Sequence, residues 1–135
     1  ESISVVHNGV ITQELPENWE ELYGYKCTTK NDTELLLHTV EAGKSPLKEW
    51  ADESLAVCEL YATKKVRVYR NGKRPLYLTS MPNGGIITST ADIANRAGLY
   101  LPNMELPHNT YVTFDEHITM ELKAEVIPNS VDYQK

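Results

Sequence analysis

The sequence predicts an α+β fold, a twisted antiparallel sheet of hairpins packed on one long amphipathic helix over 46–62, with a short second helix over 91–97. Three observations predict it. Turn signals of the Asn-Gly type divide alternating apolar runs into pairs. One stretch carries a clean helical period. The strand–helix alternation of a parallel sheet is absent. A chain of 135 residues, 41% hydrophobic and 24% charged, suits a single domain over 1–135 with its own core.

Residues 3–7 and 10–15 read as a first hairpin closed by Asn8-Gly9, because a type I′ turn needs positive φ at both central residues. Residues 16–23 read as a short helix with Trp19, Leu22 and Tyr23 on one side. Residues 23–29 and 33–41 read as a second hairpin across Lys30-Asn31-Asp32. Its unbroken Leu35-Leu36-Leu37 marks a central strand covered on both faces. Gly43 ends that strand. Ser45 can then cap a helix, and Pro46 fits its first position. At about 100° per residue, Leu47, Trp50, Leu55, Val57, Cys58 and Tyr61 fall on one arc of this helix. Lys48, Glu49, Asp52, Glu53 and Glu59 fall opposite, as a solvated face. A third hairpin pairs 66–70 with 73–80 across Asn71-Gly72, with Pro75 marking an edge or bulge. A glycine-rich loop over 81–85 leads to a short strand at Ile86 and Ile87. Thr90 caps the second helix and Gly98 stops it. The last hairpin pairs 110–114 with 117–126, and 131–135 is a frayed tail.

Net charge is −6, which argues against general nucleic-acid binding. Residues 64–74 hold Lys64, Lys65, Arg67, Arg70, Lys73 and Arg74 and no acid, so the remainder of the chain is −12. Basic side chains around Tyr69 suit an acidic protein partner, or a phosphate-bearing ligand or nucleic acid. The partner-binding residues expected are Arg67, Tyr69, Arg70, Lys73 and Arg74, standing to solvent on a cationic β-ribbon. A second anion site is expected at Asn83, Gly84, Gly85, Ser89 and Thr90, where glycines expose backbone N–H groups and hydroxyls add donors. It lacks the Gly-Lys-Ser/Thr of a phosphate-binding P-loop and the third glycine of a dinucleotide fingerprint.

His7, His38, His108 and His117 show no metal-ligand spacing, although His117 and Glu121 share a strand face. No serine-nucleophile elbow is present, and neither cysteine has a catalytic signature. No cofactor is expected. Cys27 and Cys58 are expected as free thiols in a reducing, cytoplasmic compartment, with a disulfide and a secreted chain as the alternatives. No apolar run is long enough to span a membrane. Glu1 is not an initiator, so the natural chain is expected to start upstream.

The order Leu15-Pro16-Glu17-Asn18-Trp19, then a strand, then a helix opening at Ser45-Pro46-Leu47, resembles the Mog1/PsbP-like fold of small binding and chaperone proteins. The resemblance covers roughly the first half. It departs where this chain ends in a hairpin rather than a helix, and it carries no residue over. The expectation is a non-enzymatic binding protein acting on a macromolecular partner, in an inhibitor, immunity, chaperone-like or virion-associated role. The alternative is a phosphate-ligand protein using the basic hairpin 64–74 and the loop 83–90.

Overall fold

The computed structural model describes residues 3–81, 84–88, 103–115, 120–128 and 130–132. The elements are β1 (Ile3–His7), a 3-10 turn (Pro16–Asn18), α1 (Trp19–Tyr23), α2 (Thr33–Glu41), α3 (Pro46–Glu49), β2 (Ala56–Tyr61), β3 (Val66–Arg70), β4 (Tyr77–Met81), β5 (Gly84–Thr88), β6 (Asn103–Glu105), β7 (Thr110–Phe114) and β8 (Met120–Ala124). They form an antiparallel five-stranded sheet, β1-β2-β3-β7-β8, and a three-stranded sheet, β5-β4-β6. This is a mixed α+β fold.

Period-two alternation gives the five-stranded sheet two apolar faces. One face turns Val57, Tyr69 and Tyr111 towards Leu35 and Leu36 of α2, Leu47 of α3 and the rings of Trp19 and Trp50. The Trp50 indole N–H donates to Thr39 Oγ1 at 3.0 Å, so the buried ring keeps a partner. The opposite face turns Ala56, Val68 and Val112 towards Leu76 and Leu106, which flank the smaller sheet.

The long helix over 46–62 is not what forms. Helix α3 ends at Glu49, and Trp50 leaves helical geometry at φ −116°, ψ 34°. The chain then becomes β2, hydrogen-bonded to β1 on one side and β3 on the other. Val57, Glu59 and Tyr61 share one strand face, while Ala56 and Cys58 take the other. Their spacing reads as a helical stripe only when joined to Leu47 and Trp50. Pairing on both edges decides the outcome over local propensity.

Three hairpin expectations are corrected as well. Strand β1 pairs with β2, not with residues 10–15. Residues 33–41 are helical, with Leu35, Leu36 and Thr39 inward and Glu34, His38 and Glu41 on another face. This helix stands where the Mog1/PsbP-like resemblance calls for a strand. Strand β3 pairs with β2 and β7, while the residues after Asn71-Gly72 leave for the smaller sheet. The β2–β3 turn lies at 62–65 instead, with Lys64 at φ 65°. The short helix after Pro16 and the pairing of 110–114 with the following strand agree with the sequence reading. The second helix over 91–97 and the residues Asn83, Ser89, Thr90 and His117 lie outside the described residues.

Candidate functional site

The basic segment does not stand out to solvent as a ribbon. Strand β3 is the middle of five strands, and alternation sends its side chains to opposite faces. Arg67 and Tyr69 lie on the helix-covered face, with the Arg67 guanidinium 5.3 Å from the Tyr69 ring centre and 4.4 Å from that of Tyr111. Arg67 faces Glu59 across the β2–β3 register, and Thr113 on its other side. Its Nε donates to Glu59 Oε1 at 2.7 Å and its Nη2 to Oε2 at 2.9 Å, a bidentate pair. Glu59 is fully buried and also accepts from the hydroxyls of Tyr61 and Tyr69.

Arg70 points to the other face and is also fully buried. Its Nε donates to the Leu106 carbonyl at 2.6 Å, and Nη2 donates to Glu105 and Asp132, each at 2.9 Å. Tyr69 and Arg70 are thus core groups, beyond the reach of a partner. Lys73 is exposed, and its ammonium donates to the Asp52 carbonyl. Arg74 is half-buried, and its carbonyl accepts from Arg70. Gly84 and Gly85 are ladder residues opposite Met81 and Ser80 rather than an open loop.

Of the five expected binders, Arg67 keeps an edge in a cleft of about 320 Å³, shared with Lys44, Thr113, Glu121, Lys123 and Glu125, and Lys73 lines another of about 290 Å³. The cleft floor is a relay in which the Leu47 N–H donates to the Tyr111 hydroxyl, which meets Ser45 Oγ at 2.5 Å. Burial, the Glu59 charge and its hydrogen bond raise Tyr69 well above the ordinary tyrosine value of 10.0. Burial also raises Tyr111, against the hydrogen bonds from Ser45 and Leu47. Above that ordinary value the unfolded chain sheds phenolic protons that the folded chain keeps, so stability falls as pH rises. In an alkaline titration, the last tyrosinate absorbance is expected to appear together with loss of near-ultraviolet circular dichroism. Full ionisation of all eight tyrosines with that signal intact would contradict it.

A second place is built from the turn after β1. The Asn8 N–H donates to the Ala56 carbonyl at 2.8 Å, the Val10 N–H to Ser54 Oγ at 3.0 Å and the Ile11 N–H to Asp32 Oδ2 at 2.9 Å. His7 Nε2 bonds the Gly9 carbonyl at 3.1 Å, so that nitrogen carries the proton and Nδ1 accepts from the Thr33 hydroxyl at 2.7 Å. Gly9 sits at φ 132°, and a Cβ there would meet the Ser54 carbonyl oxygen at 2.2 Å. The turn is therefore fixed by two other segments, 32–33 and 54–56, and only glycine fits it. Among the described residues, the Gly9 N–H and the exposed Asn8 carboxamide have no hydrogen-bond partner. They are two adjacent donors on a rigid support, with the half-buried Asp32 carboxylate beside them. In the sequence, Asn8-Gly9 reads as an ordinary hairpin turn. The missed signal was the remote Asp32-Thr33 pair that folds against it.

A third cluster joins Cys27 to Glu34 and His38, which lie one turn apart on α2. One ligand atom from each lies within 4.8 Å of the others. Glu34 Oε1 accepts from the Thr29 N–H at 2.8 Å and its hydroxyl at 2.6 Å; Oε2 accepts from the Thr28 N–H at 2.8 Å. Both cysteines are free thiols. Among the described residues, no helix is long and apolar enough to cross a membrane.

No family model matches the chain, and no curated protein does. Solved structures do. Glutamine phosphoribosylpyrophosphate (PRPP) amidotransferase from B. subtilis, complexed with ADP and GMP, superposes with a TM-score of 0.65 at 19% identity, over 90% of this chain and 29% of that one. A structure described as the allosteric regulatory enzyme of purine biosynthesis gives 0.65 at 20% identity, over 90% and 28%. At these identities the likeness is one of fold, and the chain spans less than a third of either protein.

Proposed function

We propose that this chain is the glutamine-recognising portion of an amidotransferase-type enzyme, and that the Asn8-Gly9 turn meets the amide of the substrate. The pinned turn with two free donors carries the reading. The Gly9 N–H is a donor held in place by the turn, as a carbonyl oxygen gaining negative charge requires, and the exposed Asn8 carboxamide is a second donor within reach. The carboxylate of Asp32, beside the turn, suits the ammonium end of an amino acid. The fold likeness supports the reading, since the neighbour named above is a glutamine amidotransferase and matches over nine-tenths of this chain. Replacing Asn8 by Ala removes one donor without touching the backbone of the turn. Glutamine affinity measured by calorimetry is expected to fall about tenfold, the worth of one such hydrogen bond. Equal affinity in the Asn8→Ala protein would remove the turn from the function.

The cleft beside Arg67 favours a second reading, the binding of an anionic ligand or acidic partner through Arg67, Lys44 and Lys123. Here Arg67 is preorganised by Glu59, while Glu121 and Glu125 limit the charge a ligand can carry. Loss of binding in Arg67→Lys, with Asn8→Ala unaffected, would favour this reading over the first.

A further inference from the structure

We propose that Cys27, Glu34 and His38 form a binding site for a divalent transition metal of the zinc class, with its remaining position open to the adjoining cleft. Thiolate sulfur, imidazole nitrogen and carboxylate oxygen are the donor set that zinc takes, and three protein ligands with one open position are its reactive form. Donor atoms around a tetrahedral zinc lie about 3.3–3.8 Å apart, from its usual bond lengths. Here Glu34 Oε2 and His38 Nε2 already lie 2.9 Å apart, and the thiol lies within 4.8 Å of both.

The surroundings orient each ligand. His38 Nε2 donates to the Glu34 carboxylate at 2.9 Å, and Nδ1 faces Glu41 Oε1 at 3.2 Å; a metal at Nε2 would take the place of that proton and leave the ring N–H on Nδ1, towards Glu41. A carboxylate behind the imidazole is the usual outer support of a metal-bound histidine. The Tyr25 ring stacks on that imidazole with centroids 5.9 Å apart. The Thr29 hydroxyl and the Thr28 and Thr29 N–H groups hold the Glu34 carboxylate in place. Glu34, His38 and Glu41 also line a cleft of about 620 Å³, wide enough for water or a small ligand to reach the metal. Binding exchanges the sulfur–hydrogen bond of Cys27 for a sulfur–metal bond and releases that proton to solvent. The bland alternative is a helix-surface set of Glu34–His38–Glu41 ion pairs with a bystander thiol.

The test uses the reduced, metal-free chain titrated with Co²⁺ and then with competing Zn²⁺. The expected result is one equivalent bound, with a near-ultraviolet sulfur-to-cobalt charge-transfer band that Zn²⁺ abolishes. Cys27→Ser is expected to lose that band, and Glu41→Gln to weaken binding about 10- to 100-fold, as removal of an outer support does. Far-ultraviolet circular dichroism checks that each variant is folded. Absence of stoichiometric binding by the parent protein overturns the proposal. So does binding that the folded Cys27→Ser and His38→Ala proteins retain, since the metal would then sit elsewhere.

Discussion

Arg70→Ala is expected to destabilise the protein by about 3–5 kcal/mol, because it removes a fully buried guanidinium that holds the Asp132 carboxylate, 7% exposed, and the half-buried Glu105. The guanidinium is 0% exposed and ties three parts of the chain together. It bonds the Leu106 carbonyl and Glu105 at the end of β6, the Asn71 and Arg74 carbonyls after β3, and Asp132 near the end of the described residues. A Cβ at the adjacent Gly72 would meet the Val131 carbonyl oxygen at 1.7 Å, so the same segment is also packed by contact. Lysine cannot replace the fork: one ammonium cannot meet Asp132 through two nitrogens and the Leu106 carbonyl through a third. Urea unfolding of Arg70→Ala and Arg70→Lys gives the two costs. A loss below about 1 kcal/mol for the alanine variant would show that the network is not held together by this side chain, since that is what an exposed pair is worth.

Glu59→Ala is expected to cost a similar amount, about 3–5 kcal/mol, for the complementary reason. It removes the carboxylate that neutralises Arg67 and accepts from two tyrosine hydroxyls, all within the covered face of the sheet. Arg67 is 23% exposed, so water recovers part of its charge, but the Tyr69 hydroxyl is left without an acceptor in the core. The double variant Glu59→Ala with Arg67→Met takes away both charges. It is expected to be more stable than Glu59→Ala alone, because no uncompensated guanidinium remains. A double variant as unstable as the sum of the two singles would mean that the residues act independently.

These two networks explain what was legible in the sequence and what was not. The six basic residues over 64–74 are real as composition, but their role depends on partners distant in sequence. Glu59 is eight residues before Arg67, a spacing that places them opposite one another only if a four-residue turn joins two strands. Reading 46–62 as a helix turned Glu59 to solvent and hid the pair. Asp132 is 62 residues from Arg70, and no local period can announce that contact. The same limit hid the Cys27 cluster: Glu34 and His38 share a face only on a helix, and Leu35-Leu36-Leu37 reads equally well as a strand. The antiparallel sheet, the short helix after Pro16 and the pairing of β7 with β8 were legible because their signals are local: turn residues, proline and alternation.

Glutamine is proposed to be met at the turn between β1 and residue 11. The most direct measurement is an amide and side-chain carboxamide NMR map of the isotopically labelled chain titrated with glutamine. Saturable shifts are expected at the Gly9 N–H, the Asn8 carboxamide and Asp32, with the Arg67 cleft unmoved. An unchanged spectrum at saturating glutamine, or shifts confined to Arg67, Lys44 and Lys123, would contradict it.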